Sequence, residues 1–177
     1  MSQSVLFVCS LNVCRSVAAH GVFRYILRET GLDAVADSAG VSAGGGAPPE
    51  TLVRRAAELR GYDLSGIRSK PLAAASPGDC DYLVAMDSSQ LPALRGCCAN
   101  GAVVRLLMDY SDYFNETEVA VPPPHEGVEG CLRMFDRIED ACLGLWRALN
   151  ERGDKYSGEH DDGRGGGRGN EPGGAHR

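Results

Sequence analysis

The chain has 177 residues, of which 43% are hydrophobic and 24% charged, which predicts one domain with a sizeable core. No run of about 18 apolar residues occurs, which excludes a transmembrane helix. The formal net charge of -6 argues against a protein that coats nucleic acid or an anionic membrane. The N-terminus lacks the basic segment of a secretory signal, and the seven cysteines follow no disulfide framework. We therefore expect a cytoplasmic protein with reduced thiols.

The composition changes near Arg152, which predicts a domain over residues 1–151 and a Gly-rich tail over residues 152–177. Nine of the 26 tail residues are Gly and none is Ile, Leu, Val or Phe. Such a segment buries too little apolar surface to offset the entropy cost of ordering, so we expect it to be disordered. An RGGGRG stretch at residues 164–169 is similar to RNA-binding segments. A single copy without aromatic residues favours a plain tail.

Strand and helix patterns alternate along residues 1–151. Residues 5–8 form a continuous apolar run, typical of a strand buried on both faces, and apolar residues at helical spacing follow over residues 16–27. Further strands are predicted at residues 34–36, 82–85 and 103–107, and further helices at residues 51–59 and 88–94. A long last helix carries one apolar stripe, formed by Leu132, Phe135, Ile138, Cys142, Leu145 and Leu149.

This alternation predicts an α/β fold in which helices flank a parallel sheet. In such folds the binding site lies at the carboxyl ends of the strands. The first strand ends at the sequence CSLNVCRS, residues 9–16, which is where we look for the site.

The loop after the first strand is predicted to bind phosphate. Its backbone N–H groups can surround a tetrahedral oxyanion, and the helix N-terminus adds positive potential that favours the thiolate of Cys9. Arg15 offers a fork for two phosphate oxygens, and Ser16 can donate a hydrogen bond to the sulfur. These are the parts needed for thiolate attack on phosphorus. The predicted phosphate-binding residues are Ser10, Leu11, Asn12, Val13, Cys14 and Arg15.

A simpler interpretation remains open at this point. Cys9 could be a buried strand-end cysteine and Arg15 a surface cation, because a bare Cys-x5-Arg spacing often arises by chance. The preceding strand, the following helix and the polar residues Asn12 and Ser16 inside the loop favour phosphate chemistry.

The motifs resemble the low-molecular-weight protein tyrosine phosphatase family. VLFVC at residues 5–9 and NVCRS at residues 12–16 are similar to its signature VLFVCxGNICRSP. Four further matches are DSAG at 37–40, RGYDLS at 60–65, DYLVAMD at 81–87 and IEDAC at 138–142. The resemblance implies a four-stranded parallel sheet with helices on both faces. It also implies hydrolysis of protein phosphotyrosine through a phosphocysteine intermediate.

The family's roles transfer to the matching positions. The resemblance makes Cys9 the nucleophile, Arg15 the phosphate-binding arginine and Ser16 the hydroxyl that stabilises the thiolate. Asn12 and Ser38 match residues that brace the loop. Cys14 matches the second loop cysteine, which forms a reversible disulfide with the nucleophile in the family.

Val13 stands where tyrosine-directed members carry Ile, which favours an aryl phosphate. No metal or organic cofactor is implied, because the arginine, the loop amides and the helix end supply the positive charge. The expected partner is a phosphotyrosine protein or a small aryl phosphate, with neither nucleic acid nor membrane involved. The sequence leaves the oligomeric state open.

Several positions depart from the family pattern. The family's general acid is the Asp of a DPYYG loop, and alignment of VPPPHEG at residues 121–127 by its Gly places Pro123 there. His125 and Glu126 replace the two tyrosines of that loop. Residues 43–46 lack the family's bulky aromatic, Val17 replaces a proline, and Leu11 replaces the loop Gly. Leu11 is expected to strain the loop if its position needs a positive φ.

Two explanations of the lost acid remain open. Another group could donate the proton: His125, since imidazole titrates near neutral pH, or Glu126, with Glu118 and Asp109 as further candidates. Alternatively the chain could be a pseudophosphatase that binds phosphate or phosphotyrosine without turnover. The sequence favours a slow or altered phosphatase over this alternative.

Thioredoxin-coupled arsenate reductases share the fold and the Cys-x5-Arg loop. They need two further relay cysteines, and the candidates here are Cys80, Cys97 and Cys98. Their spacing is poor for a relay, so this function is the least favoured. His20, about one helical turn after the loop, is expected at the surface or the rim of the site.

Overall fold

A computed structural model describes residues 2–157, with side chains described for residues 2–151. Four parallel strands form one sheet in the order β2-β1-β3-β4. The strands are β1 Gln3–Cys9, β2 Ala34–Gly40, β3 Tyr82–Ala85 and β4 Val103–Leu106. The α-helices are α1 Arg15–Thr30, α2 Thr51–Arg60, α3 Leu91–Cys97 and α4 Gly127–Ser157.

Helices cover both faces of the sheet, as the sequence predicts. Side chains alternate along β1, so Val5 and Phe7 pack with α1, α2 and α4 in the larger core. Leu6 and Val8 point the other way and pack with Leu94 of α3. Because β1 is central and buried on both faces, its sequence is continuously apolar and lacks polar alternation.

The helix ends follow local sequence signals. α2 ends at Gly61, which has a φ of 80° and lies in the left-handed region that glycine adopts without steric cost. The predicted helix at residues 88–94 divides into a 3-10 turn, Ser88–Gln90, and α3. An Asp87 capping box with Gln90 starts that turn.

Two predicted boundaries differ from the structure. β2 extends to Gly40 because it pairs with β1 along the whole of that strand, from Gln3↔Ala34 to Cys9↔Gly40. α4 continues through Ser157, past the predicted boundary at residue 151, since each residue added to an existing helix gains a backbone hydrogen bond. The rest of the predicted tail, residues 158–177, lies outside the described residues.

The strand order places the functional edge of the sheet. From β1 the chain crosses to β2 on one side, and after β2 it crosses to β3 on the other side of β1, so a crevice opens at the carboxyl ends of these strands. Cys9 lies there beside Gly40, and Val8 pairs with Ala85, two residues before Asp87. Within the described residues, no helix is long and apolar enough to cross a membrane.

Candidate active site

The sulfur of Cys9 receives hydrogen bonds from its own loop. Cys9 is 3% exposed at the end of β1. The backbone N–H of Asn12 points at its Sγ at 3.3 Å, and the hydroxyl of Ser16 lies 2.9 Å from the same sulfur. Ser16 stands in the first turn of α1, where the helix dipole is positive, and Asn12 lies in the loop before it. The N–H of Asn12 and the hydroxyl of Ser16 therefore converge on the Cys9 sulfur.

Asn12 holds the loop in its curved conformation. Its φ of 56° lies in the left-handed region, which asparagine tolerates better than most residues. Its Nδ2 donates to Ser16 Oγ at 2.9 Å, and its Oδ1 accepts from the backbone N–H of Lys70 at 2.9 Å. Because Ser16 Oγ accepts from Asn12, the serine hydroxyl proton is directed towards Cys9.

The strain expected at Leu11 does not occur. The residue with positive φ is Asn12, and Leu11 stands at the crest of the loop with 56% of its surface exposed. A leucine in place of the family's glycine is therefore compatible with the backbone here, because its side chain points into solvent.

Neighbouring segments hold the loop in place through its carbonyls. The N–H of Glu50, at the start of α2, donates to Val13 O at 2.9 Å, and the N–H of Ser42 donates to Ser10 O at 2.9 Å. Gly40 gives the loop its room, because a Cβ there would lie 2.6 Å from Ser10 O. Glycine is required at this position by close backbone approach.

Arg15 is anchored by an acidic residue from the neighbouring strand end. Its buried guanidinium donates from Nη1 to Asp87 Oδ2 at 2.6 Å and to Val119 O at 3.0 Å. Burial works against the ionised form of Asp87, but bonds from Ser89, Gln90 and Arg15 outweigh it and lower the pKa to about 2. Asp87 therefore remains a carboxylate that orients the arginine.

The sequence reasoning did not identify Asp87 as part of the site. The available signal was its position, since it follows β3 at the same sheet edge at which Cys9 follows β1. The sequence could not identify Val119, because it accepts a hydrogen bond from Arg15 through its backbone carbonyl, which any residue would supply.

His20 is buried, and the expectation of a surface or rim position is wrong. It is 8% exposed, and its Nδ1 lies 3.1 Å from Ser38 Oγ. Burial lowers the pKa of His20 to about 4, although the Asp37 carboxylate opposes this effect. α1 turns this residue towards β2 because the helix packs on that strand. Ser38 is expected to brace the loop, and in the structure its hydroxyl is the group that contacts Nδ1 of His20.

The loop before α4 holds the aligned general-acid position. Pro123 is exposed and precedes a 3-10 turn, Pro124–Glu126. His125 is also exposed. The carboxylate of Glu126 forms an ion pair with Arg133 at 2.5 Å, which ties its side chain to α4.

A backbone N–H group donates to each of the two further acid candidates, Glu118 and Asp109. Glu118 Oε1 accepts from the N–H of Ser88 at 2.8 Å, and the bonds from Ser88 lower the pKa of Glu118. Asp109 Oδ2 accepts from the N–H of Leu106 at 3.3 Å, in the turn that follows β4. The bonds from Ser88 disfavour a protonated acid at Glu118.

The thiol of Cys14 contacts the last helix. Its thiol donates to Met134 Sδ of α4 at 3.8 Å. Burial and, after it, the charge of Glu50 raise the pKa of Cys14 to about 12. The predicted pairing of Cys14 with Cys9 remains a prediction, and the structure records both as free thiols.

The cysteines considered for an arsenate relay lie at the opposite edge of the sheet. Cys80 precedes Asp81, whose N–H donates to Ser4 O near the start of β1. Ser4 and Cys9 are five steps apart along the strand, a distance of about 16 Å. A relay from Cys9 through Cys80, Cys97 and Cys98 therefore has no geometric support.

The fold is α/β, the first strand of its parallel sheet ends in a buried cysteine, and the loop that follows leads to an arginine. These features define a cysteine-phosphatase-like protein. Residues 4–155 match the family model of low molecular weight phosphotyrosine protein phosphatase. The chain belongs to this family, which confirms the resemblance seen in the motifs.

Known proteins support this assignment along most of the chain. A low molecular weight protein-tyrosine-phosphatase of Streptomyces coelicolor is 34% identical, with 86% of this chain and 96% of the relative covered. The crystal structure of YfkJ from Bacillus subtilis has a TM-score of 0.75 at 27% identity and covers 86% of this chain and 97% of its own. A product state mimic of an Entamoeba histolytica protein tyrosine phosphatase has a TM-score of 0.76 at 31% identity and covers 85% and 97%. These likenesses confirm the predicted fold.

Proposed function

We propose that the chain hydrolyses phosphomonoesters, with phosphotyrosine or a related aryl phosphate as the substrate, through a phosphocysteine intermediate on Cys9. The observation that carries the proposal is the bonding around its sulfur. Asn12 N–H at 3.3 Å and Ser16 Oγ at 2.9 Å stabilise a thiolate at the N-terminus of α1. A thiolate is the attacking form of cysteine.

Arg15 provides the positive charge that phosphoryl transfer requires. Within residues 2–151, both recorded hydrogen bonds of its guanidinium use Nη1. The Nε–H and Nη2–H groups therefore remain for two phosphate oxygens, because guanidinium has five donors in a fixed fork. Asp87 can keep its bond while Arg15 binds substrate. Loop amides from Ser10 to Arg15 complete the cradle for the transferring oxygens.

In the first step the sulfur of Cys9 bonds to phosphorus and the ester oxygen leaves with the bonding electrons. In the second step water attacks phosphorus, and Cys9 leaves as a thiolate stabilised by Ser16. An acid that protonates the leaving oxygen contributes about 100- to 10,000-fold. Proline at position 123 cannot supply that proton, so we propose that turnover depends on a relocated or weakened acid.

His125 is the better of the two substitute acids. Glu126 is engaged with Arg133 in an ion pair of 2.5 Å, which ties its side chain to α4. His125 is exposed in the adjacent turn, and an imidazole can release and regain a proton near neutral pH. Replacement of His125 by Gln should lower phosphotyrosine turnover more than Glu126→Gln does.

The proposal is tested by turnover of p-nitrophenyl phosphate, whose acidic leaving group needs little protonation. Purified protein is compared with Cys9→Ser and with a matched control, Cys98→Ser, which changes a partly exposed thiol outside the loop. Turnover retained in Cys98→Ser and lost in Cys9→Ser supports the proposal. Turnover in the unmodified chain no higher than in Cys9→Ser would replace it with the pseudophosphatase alternative.

A further inference from the structure

Cys14 connects the phosphate loop to a sulfur-bearing face of α4. Its sulfur contacts Met134 Sδ at 3.8 Å. Cys131 precedes Met134 by three residues on the same helix, so the two side chains share one face and have Cβ atoms about 5–6 Å apart. Cys131 is 4% exposed and Met134 3% exposed, and both belong to the core against which Cys14 packs.

Two other thiols lie close enough to Cys14 for their charges to act on it. After burial and the carboxylate of Glu50, the groups whose charges raise the pKa of Cys14 are Cys131 and then Cys9. Burial and, after it, Glu50 also raise the pKa of Cys131. The nucleophile, the second loop cysteine and a cysteine of α4 therefore form one electrostatically coupled set around the base of the loop.

We propose that Cys131 is a resolving thiol for the phosphate loop, which takes the disulfide from Cys9 and Cys14 and returns Cys9 to its reactive form. The oxidant is a peroxide. The Cys9 thiolate attacks a peroxide oxygen and becomes a sulfenic acid, and the other oxygen leaves as hydroxide or alkoxide. The sulfur of Cys14 then attacks that of Cys9, and the hydroxyl group leaves with the proton of Cys14 as water.

The last step moves the disulfide without further oxidation. The sulfur of Cys131 attacks Sγ of Cys14, its proton passes to solvent, and Cys9 leaves with the bonding electrons as a thiolate. Ser16 and the Asn12 N–H stabilise this leaving group. The exchange therefore ties the half-buried Cys14 and the buried Cys131, whose pKa values are both raised, into the disulfide and leaves the Cys9 thiolate free.

The exchange gives the chain a way to keep its nucleophile after an encounter with peroxide. A Cys14–Cys131 disulfide would join the loop to α4 and leave the sulfur of Cys9 open to substrate. The preceding Cys9–Cys14 step already removes the sulfenic acid before further, irreversible oxidation. The inference rests on the proposed function, because it requires a reactive thiolate at Cys9.

The test is disulfide mapping by mass spectrometry after one equivalent of hydrogen peroxide, with free thiols alkylated before digestion. The unmodified chain should yield a Cys14–Cys131 link with Cys9 alkylated, and it should recover turnover without added reductant. Cys131→Ser should stop at a Cys9–Cys14 link and remain inactive until a thiol is added. Cys98→Ser, the matched control, should behave as the unmodified chain.

A second variant does not depend on a change in the core. Glu50 is exposed, and Glu50→Gln removes the charge that disfavours both thiolates while leaving its backbone bond to Val13. The disulfide should then move to Cys131 several-fold faster. An unchanged rate would contradict the assigned route.

The two possible failures are distinguishable. A Cys9–Cys14 link that persists equally in the unmodified chain and in Cys131→Ser would overturn the inference alone. A Cys9 that remains alkylatable with no disulfide on Cys14 would show that Cys9 is unreactive, and it would overturn the proposed function as well.

Discussion

The guanidinium of Arg15 and the carboxylate of Asp87 form an ion pair of 2.6 Å that joins the loop after β1 to the end of β3. Their side chains are 9% and 18% exposed, so the pair is well shielded from water. The same guanidinium nitrogen also donates to Val119 O. Two neighbouring segments thus fix the arginine before substrate arrives, which reduces the reorganisation needed in the transition state.

Asp87→Asn should lower kcat/KM for p-nitrophenyl phosphate by about 10- to 100-fold, since a hydrogen bond to a charged group contributes about 1.5–3 kcal/mol. Inhibition by inorganic phosphate should weaken as well, because Arg15 loses its fixed orientation. Asp112→Asn is the matched control, as that carboxylate pairs with Arg147 at the surface. Equal phosphate inhibition in Asp87→Asn and the unmodified chain would refute the orienting role.

Gly40→Ala should damage the phosphate loop more than the fold. The added Cβ would lie 2.6 Å from Ser10 O and 3.0 Å from the Asn12 N, so the loop must shift. Overpacking of this kind costs about 1–3 kcal/mol. We expect a lower thermal midpoint together with a loss of turnover of at least about tenfold. Gly44→Ala is the control, because no atom lies within 4 Å of its added Cβ. Similar turnover in both variants would contradict the close approach.

His20 should make the stability of the fold depend on pH. Its pKa falls from 6.5 when unfolded to about 4 when folded. Between these values the unfolded chain binds a proton that the folded chain does not, so stability falls as the pH decreases from 6.5 to about 4 and levels off below. Acidification through this interval lowers the free energy of unfolding by about 3 kcal/mol through His20.

The measurement is urea unfolding of the unmodified chain and of His20→Gln at several pH values. The difference in the free energy of unfolding between these two proteins should change from pH 6.5 to 4 and stay constant above pH 6.5. His125→Gln, at an exposed site, serves as the control and should leave the pH dependence unchanged. A slope shared by all three proteins would assign the pH dependence to other groups.

Pro123→Asp should restore a proton donor at the aligned acid position. The unmodified chain should cleave aryl phosphates with acidic leaving groups far better than phosphotyrosine, because such groups depart without a proton. Pro123→Asp should raise phosphotyrosine turnover by about 100-fold or more and change p-nitrophenyl phosphate turnover much less. Pro124→Asp, one residue further on, controls for added charge. Equal rates on both substrates in the unmodified chain would show that an acid is already present.

The sheet and the loop were predictable because their signals are local. A continuous apolar run indicates a central strand, and residues 9–16 follow it directly. Because ligands bind at the carboxyl ends of the strands in such folds, this is enough to predict that the loop forms the site. The family motifs then define the fold. The sequence predicts a strand only over residues 34–36, because Asp37 and Ser38 are polar. The observed strand continues to Gly40, since its length is set by pairing with β1.

Contacts between distant segments were not predictable. The place of His20 one helical turn after the loop predicts a surface or rim position, yet packing of α1 on β2 buries it against Ser38. The partnership of Cys14 with Met134 spans 120 residues, and no pattern along the chain records it. The left-handed residue of the loop is Asn12, with Leu11 beside it, a distinction that depends on backbone geometry.

The most direct test of the account is a rapid-quench experiment with p-nitrophenyl phosphate, followed by mass spectrometry of the peptide that contains Cys9. We predict that this peptide gains one phosphoryl group during turnover and that the group is absent from Cys9→Ser. Turnover without a phosphoryl group on Cys9, or turnover that survives in Cys9→Ser, would contradict the assignment of the nucleophile.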